Sequence, residues 1–153
     1  THVNKSVMTR VLNVDPDFII KNWTYFPIVS AMAGTHGNAI HVSNALTAVY
    51  LATGQDSACV AENSIGHFSI EKVDDGITWR LTLPSLTVGT VGGGTRLNQQ
   101  QQNLQLLGCD NGEHTSRKLA EIIAAAALGL EISLGSAIMS HTWTSAHMKY
   151  GRK

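Results

Sequence analysis

The chain has no excess of charge of either sign: 11 Lys and Arg stand against 11 Asp and Glu in 153 residues. No Lys/Arg run breaks that balance. The basic stripe that a nucleic-acid platform uses to displace counterions is therefore missing, and no nucleic-acid partner is expected. Cysteine is scarce, with only Cys59 and Cys109. Two thiols cannot staple a secreted scaffold, and they read as reduced cysteines of a cytoplasmic protein. Charged residues are 14% and hydrophobic residues 43% of the chain, which excludes a disordered acidic or basic polymer. The opening Thr1-His2-Val3-Asn4-Lys5 lacks the apolar core of a signal peptide. A first Thr is what removal of an initiator Met leaves, so the chain reads as a complete small protein. The most apolar stretch, Leu119 to Met139, contains Glu121 and Glu131. Carboxylates near the middle of a span are costly, so this stretch reads as a buried helix and no membrane partner is expected. What remains is one domain over residues 1–153, long enough to bury a core without disulfides.

Local patterns place the elements. Val7, Met8, Val11 and Leu12 have helical spacing. Asp15-Pro16 supplies an N-cap and a first helical residue for a second helix, which Pro27 is expected to end near Tyr25. Ala31 to Asn38 reads as a small-residue loop. Ala39 to Thr53 reads as a central, Ala-rich helix closed by Gly54. Ile65–Val73 and Ile77–Leu83 flank Asp74-Asp75-Gly76, a strong hairpin pattern. Ser85 to Val91 reads as a third strand running into Gly92-Gly93-Gly94. A Gln-rich helix follows from Leu97 to Leu107. A long helix then runs from His114 or Thr115 to about Leu134, with a bend at Gly135-Ser136 and a last helix towards His147. Helices around a small hairpin sheet make the fold class α+β.

Three groups of residues carry a resemblance. The first is Ser30-Ala31-Met32-Ala33-Gly34, then Asn38-Ala39, His41 and Ser43-Asn44, then Thr47-Ala48-Val49-Tyr50 to Gly54-Gln55-Asp56. The second is Leu83-Pro84-Ser85 with Gly89-Thr90-Val91-Gly92-Gly93-Gly94-Thr95, then Gln100-Gln101 and Leu104 to Gly108. The third is His147-Met148. In this order and spacing they resemble the hydroxymethylglutaryl-CoA reductase family, its eukaryotic-type branch, over nearly the whole chain. The match is to the C-terminal part of the catalytic large domain. The resemblance implies that Asp56 and His147 are catalytic, and that His147 protonates the departing thiolate of coenzyme A. It implies ligand contacts from Asn38 and Asn44, and a place for Gly92, Gly93, Gly94 and Thr95 against a nicotinamide cofactor. The family's ENVIGY-type Glu, catalytic Lys and nucleotide-binding small domain with its DAMGMN-type motif are not in this sequence. His141 and His147 stand one residue further apart than the family pattern, and Trp143 is new relative to it.

Each residue also has a plainer reading. Asp56 follows a helix C-terminus, where the dipole opposes an anion and so suits a group that exchanges a proton; it could equally cap the next turn through Ser57 and Ala58. His147 is a near-neutral proton carrier, or a surface residue of a basic tail with Lys149, Arg152 and Lys153. The glycine loop is a cofactor wall, or a tight turn packed on the central helix. Trp143 walls an apolar pocket or belongs to the core. His36/His41 and His141/His147 lack the i, i+4 spacing of helical metal ligands, so no metal is expected.

A thioester reduction needs a held hydride donor, a cation at the developing alkoxide and a proton source for the thiol. This sequence carries the third and one carboxylate. The leading expectation is therefore a stand-alone, truncated reductase-like protein reused as a non-redox acid/base enzyme, of cyclase or isomerase type, on a small apolar biosynthetic intermediate. No cofactor belongs to that reading. The alternatives are a subunit of a split NADPH-dependent reductase completed by another chain, and a non-catalytic binding or assembly module. All three expect a homodimer or higher homo-oligomer, since the Ala-rich helices would otherwise expose apolar faces.

Overall fold

The computed structural model describes residues 1–151; Arg152 and Lys153 of the expected basic tail lie outside the described residues. The architecture is α+β, as the patterns imply. Strand β1 (His2–Asn4) leads into a short helix α1 (Lys5–Val7) and a wide π-type turn over Met8–Leu12, which Asn13 ends in the left-handed conformation. Helices α2 (Pro16–Trp23), α3 (Phe26–Met32) and α4 (Val42–Thr53) follow. Asp56 opens a 3-10 turn, Ser57–Cys59, that passes into α5 (Val60–Asn63). The hairpin is β2 (His67–Val73) and β3 (Gly76–Thr82). A 3-10 turn at Gly93–Arg96, α6 (Asn98–Leu106), α7 (Thr115–Met139) and α8 (Trp143–Tyr150) complete the described chain.

The sheet is antiparallel with order β1-β3-β2. Val73 pairs with Gly76, so Asp74-Asp75 form the two-residue hairpin loop. The third strand is not Ser85–Val91. That stretch has no ladder, because side chains take its backbone: the Tyr50 hydroxyl donates to the Thr87 carbonyl at 2.7 Å, and the Gln55 amide pairs with Gly89. The edge place goes instead to β1, with His2 opposite Thr78.

Several boundaries shift for local reasons. Asp15 caps α2 as expected, accepting from the Asp17 N–H at 3.3 Å. Pro27 does not end the helical stretch. It occupies the first turn of α3, where its missing N–H costs nothing, and the helix continues through Ala31 to Met32. Helix α4 begins at Val42 rather than Ala39, because the N–H groups of Ile40 and His41 are held by Glu131. Helix α7 runs on through Gly135 to Met139, with Ser136 buried on its packed side.

Helix α7 is the spine of two cores. Its Leu119, Ile123 and Ala127 pack with Val42, Ala45, Leu46, Tyr50 and Leu104. One turn further on, Ile132 packs with Met8, Val14, Ile19, Phe68, Ile77 and Trp79. Each such large apolar side chain contributes about 1.5–3 kcal/mol of burial. Of the described helices, α7 is the one long and apolar enough to cross a membrane by length and composition; here one face of it packs on α4 and the sheet.

Candidate functional site

The end of α4 builds the first half of the site. Gly54 closes the helix with φ +72, and a Cβ at this position would stand 2.4 Å from the Gly94 carbonyl carbon and oxygen. No other residue type allows the glycine loop to come this close to the helix terminus. The next residue, Gln55, ties the two together. Its Nε2 donates to the Gly89 carbonyl at 2.9 Å, and the Gly89 N–H donates to its Oε1 at 2.8 Å. The side-chain amide thus pairs with Gly89 as a strand would. Beneath it, buried Asn63 donates to the Tyr50 oxygen at 2.7 Å and to the Thr87 carbonyl at 3.3 Å. Burial pushes the Tyr50 phenol up from its ordinary value, against the opposing hydrogen bond from Asn63.

Asp56 is held on this support. It lines a cavity of about 480 Å³ with Tyr50, Leu51, Gly54, Gln55, Gly93, Gly94 and Leu97. Its Oδ1 accepts the Ala58 N–H at 3.0 Å, so it caps the turn that follows. The N-terminal dipole of that turn therefore faces the carboxylate and offsets the C-terminal dipole of α4. The neighbouring Cys59 thiol is pushed up by burial, and further by the charges of Asp56 and Glu62.

Thr95 is 7% exposed and serves the loop itself: its hydroxyl donates to the Gly92 carbonyl at 2.5 Å. Gly92 faces a smaller cavity with Thr90, Arg96 and Asp110. Asn38 does not line the cavity of Asp56. Both ends of its amide are taken, Nδ2 donating to the Phe68 carbonyl and Oδ1 accepting the Phe68 N–H, each at 2.8 Å. It lines a separate cavity with Trp23, His36, His67 and Phe68.

His147 lies on α8, and its ring stacks on Trp143 with centroids 4.2 Å apart. Its Nδ1 is 2.9 Å from the Trp143 carbonyl oxygen. A carbonyl only accepts, so Nδ1 carries a proton and Nε2 is the nitrogen left for exchange. Both rings line a crevice of about 240 Å³ with His41, Ser133 and Leu134. Asn44 Nδ2 is 3.5 Å from His41 Nδ1. The site residues therefore form two groups, Asp56 with the glycine loop and His147 with Trp143, His41 and Asn44 beyond the other end of α4. Asp56 and His147 line different cavities.

The sequence profile of the family described as hydroxymethylglutaryl-coenzyme A reductase matches residues 1–152. The chain belongs to this family. It is 39% identical over 150 residues to the 3-hydroxy-3-methylglutaryl-coenzyme A reductase of Methanocaldococcus jannaschii, covering 98% of this chain and 36% of that protein. The Aeropyrum pernix reductase is 42% identical over 155 residues, covering 98% and 37%. Reductase 2 of Gossypium hirsutum is 43% identical over 159 residues, covering 98% and 24%. The chain thus spans little more than a third of its archaeal relatives and corresponds to the C-terminal part of the family's large domain.

Two residues that shape these surroundings have no role in the sequence reading. Gln55 stood inside the Gly54-Gln55-Asp56 motif without a role. Glu131 was noted only as a charge in an apolar segment, although a carboxylate at a helical position otherwise spaced for burial is itself the signal.

Proposed function

We propose that this chain supplies the Asp56 and His147 sides of a 3-hydroxy-3-methylglutaryl-CoA reductase site, with the remaining catalytic groups coming from residues outside this sequence, in the same or another chain. One observation supports this most: Asp56 and the glycine loop are held against one another, by the Gly54–Gly94 contact and the two-point Gln55–Gly89 pairing, in a chain that matches reductases over nearly all its length. Two groups that need not share a substrate would not require such a mount.

The loop fits a flat nicotinamide ring. A Cβ at Gly92 or Gly93 would meet nothing within 4 Å, so the chain leaves open space against this backbone. Gly93 and Gly94, which share the cavity of Asp56, would form the wall, with Gly92 opening into the neighbouring cavity, and NADPH supplies a hydride when bound. Asp56, at the wall's edge, is placed to share a proton with the reacting oxygen. His147 would protonate the thiolate from Nε2 once that nitrogen has taken up a proton, with α8 or a neighbouring chain bringing the ring to the substrate.

The non-redox reading, a cyclase or isomerase using Asp56 and His147 as an acid/base pair, needs both side chains on one small molecule. Their separate cavities favour it less. A purely assembling role leaves the Asp56 mount unused. The test is to follow NADPH oxidation with hydroxymethylglutaryl-CoA, for the chain alone and mixed with the preceding region of the Methanocaldococcus jannaschii relative. The proposal expects no turnover alone and turnover in the mixture. A folded, associated mixture without turnover would refute it.

A further inference from the structure

Glu131 is a buried carboxylate that lines neither the Asp56 nor the His147 cavity. It is 1% exposed, and the other buried residues of α7 are Leu119, Ile123, Ala127, Ile132 and Ser136. A Leu there would pack as well and avoid the cost of taking a charge out of water. The carboxylate instead crosses to the start of α4. It accepts the Ile40 N–H at 3.1 Å and the His41 N–H at 2.5 Å, across 91 and 90 residues of sequence. Among the described residues His41, the N-cap of α4, makes no capping bond with its own side chain. Glu131 takes that place from another helix, and its negative charge faces the positive end of the α4 dipole.

What it holds is functional surface. His41 lines the crevice with Trp143 and His147, and Asn44 stands one turn on, within 3.5 Å of the His41 ring. The other end of α4 is fixed by the Gly54–Gly94 contact and the Gln55 pairing beside Asp56. Helix α4 is thus a strut anchored at both ends, with the His41–Asn44 pair at one end and Asp56 at the other. We infer that Glu131 is a positioning residue: by capping α4 in place of a local residue, it fixes His41 and Asn44 at the distance from Asp56 that one extended substrate requires. This rests on the reductase reading for the identity of the substrate, and on the geometry alone for the positioning.

The test separates the two. In the whole chain, amide hydrogen exchange at Ile40 and His41 is expected to be as slow as at Leu46 in the middle of α4. Exchange at the rate of the exposed loops would overturn the inference without any variant. Glu131→Gln and Glu131→Met keep the volume and remove the charge. Glu131→Met is expected to speed exchange at both Ile40 and His41 by about 10-fold or more, the loss of a hydrogen bond to a charged group, Glu131→Gln, with one acceptor oxygen left, at one of the two, and both to mobilise the Asn44 side-chain amide in nitrogen relaxation. A merely space-filling Glu131 predicts no change in Glu131→Met, and that result would overturn the inference. Titration with hydroxymethylglutaryl-CoA, in the mixture with the preceding region of the Methanocaldococcus jannaschii relative, should shift His41, Asn44 and Asp56 in the wild type, and Asp56 but not His41 or Asn44 in the variants. If the wild type shows no shift at all, the reductase reading fails, and the exchange and relaxation results still decide Glu131.

Discussion

Replacing Gly54 by Ala tests the mount of Asp56 directly, because Gly34 offers a matched control. Both glycines end helical stretches with similar left-handed backbone, φ +72 at Gly54 and φ +77 at Gly34. A Cβ on either costs about 1–2 kcal/mol for that conformation. At Gly34 it would meet nothing within 4 Å. At Gly54 it would stand 2.4 Å from Gly94 carbonyl atoms and 2.7 Å from the Thr95 nitrogen. These are backbone atoms and cannot swing aside. Restoring a van der Waals separation of roughly 3.5 Å requires the glycine loop to move by about 1 Å, and overpacking of this kind costs about 1–3 kcal/mol more. The expected loss is therefore about 2–5 kcal/mol for Gly54→Ala against about 1–2 for Gly34→Ala. Urea unfolding followed by circular dichroism measures both. Faster amide exchange should appear at Gly89 to Thr95 in Gly54→Ala only. Equal losses in the two variants, within about 0.5 kcal/mol, would refute the claim that the helix end and the loop are pressed together.

Tyr50→Phe removes a hydroxyl that donates to the Thr87 carbonyl and accepts from buried Asn63, and should cost about 1–3 kcal/mol in the same unfolding assay. The folded Tyr50 holds its proton above the ordinary 10.0, chiefly through burial. Its contribution is therefore complete below pH 10 and lost as pH rises through the folded value, so alkaline unfolding should be less steep in Tyr50→Phe. Ser136→Ala should raise stability by about 0.5–1 kcal/mol, because the buried Ser136 hydroxyl has no hydrogen-bond partner among the described residues and Ala is the better helix former. Asp17 is held below its ordinary 3.8 by a hydrogen bond from Lys72 and by that group's charge. Its contribution is present above pH 3.8 and lost as pH falls through the folded value. Asp17→Asn should narrow the gap between neutral and acid melting temperatures.

Legibility followed the range of the interactions. Asp15-Pro16, Gly54 and the Asp74-Asp75-Gly76 turn act on their immediate neighbours, and each is found where the sequence pattern puts it. The misjudged elements depend on distant partners. Strand β1 is three residues long and exists because β3, some seventy residues on, offers an edge. Ser85–Val91 has a strand's composition, yet its backbone is taken by the side chains of Tyr50, Asn63 and Gln55. In the site, motif order was enough to bring Asp56 to the glycine loop. It could not show that Asn38 spends its amide on Phe68, nor that His147 opens into a different crevice from Asp56. Both depend on where β2, α7 and α8 lie in space. Glu131 was hidden for the same reason, its partners being 90 residues away.

Asp56 is proposed to belong to a reductase site completed by residues outside this sequence. The most direct test is Asp56→Asn in the mixture of this chain with the preceding region of an archaeal relative, measured as NADPH oxidation with hydroxymethylglutaryl-CoA. The account predicts that the variant folds and associates as the wild type does, because the amide oxygen still caps Ala58, and that turnover falls by about 100-fold or more, the scale of a lost general acid/base group. Turnover equal to wild type with Asp56→Asn would contradict it.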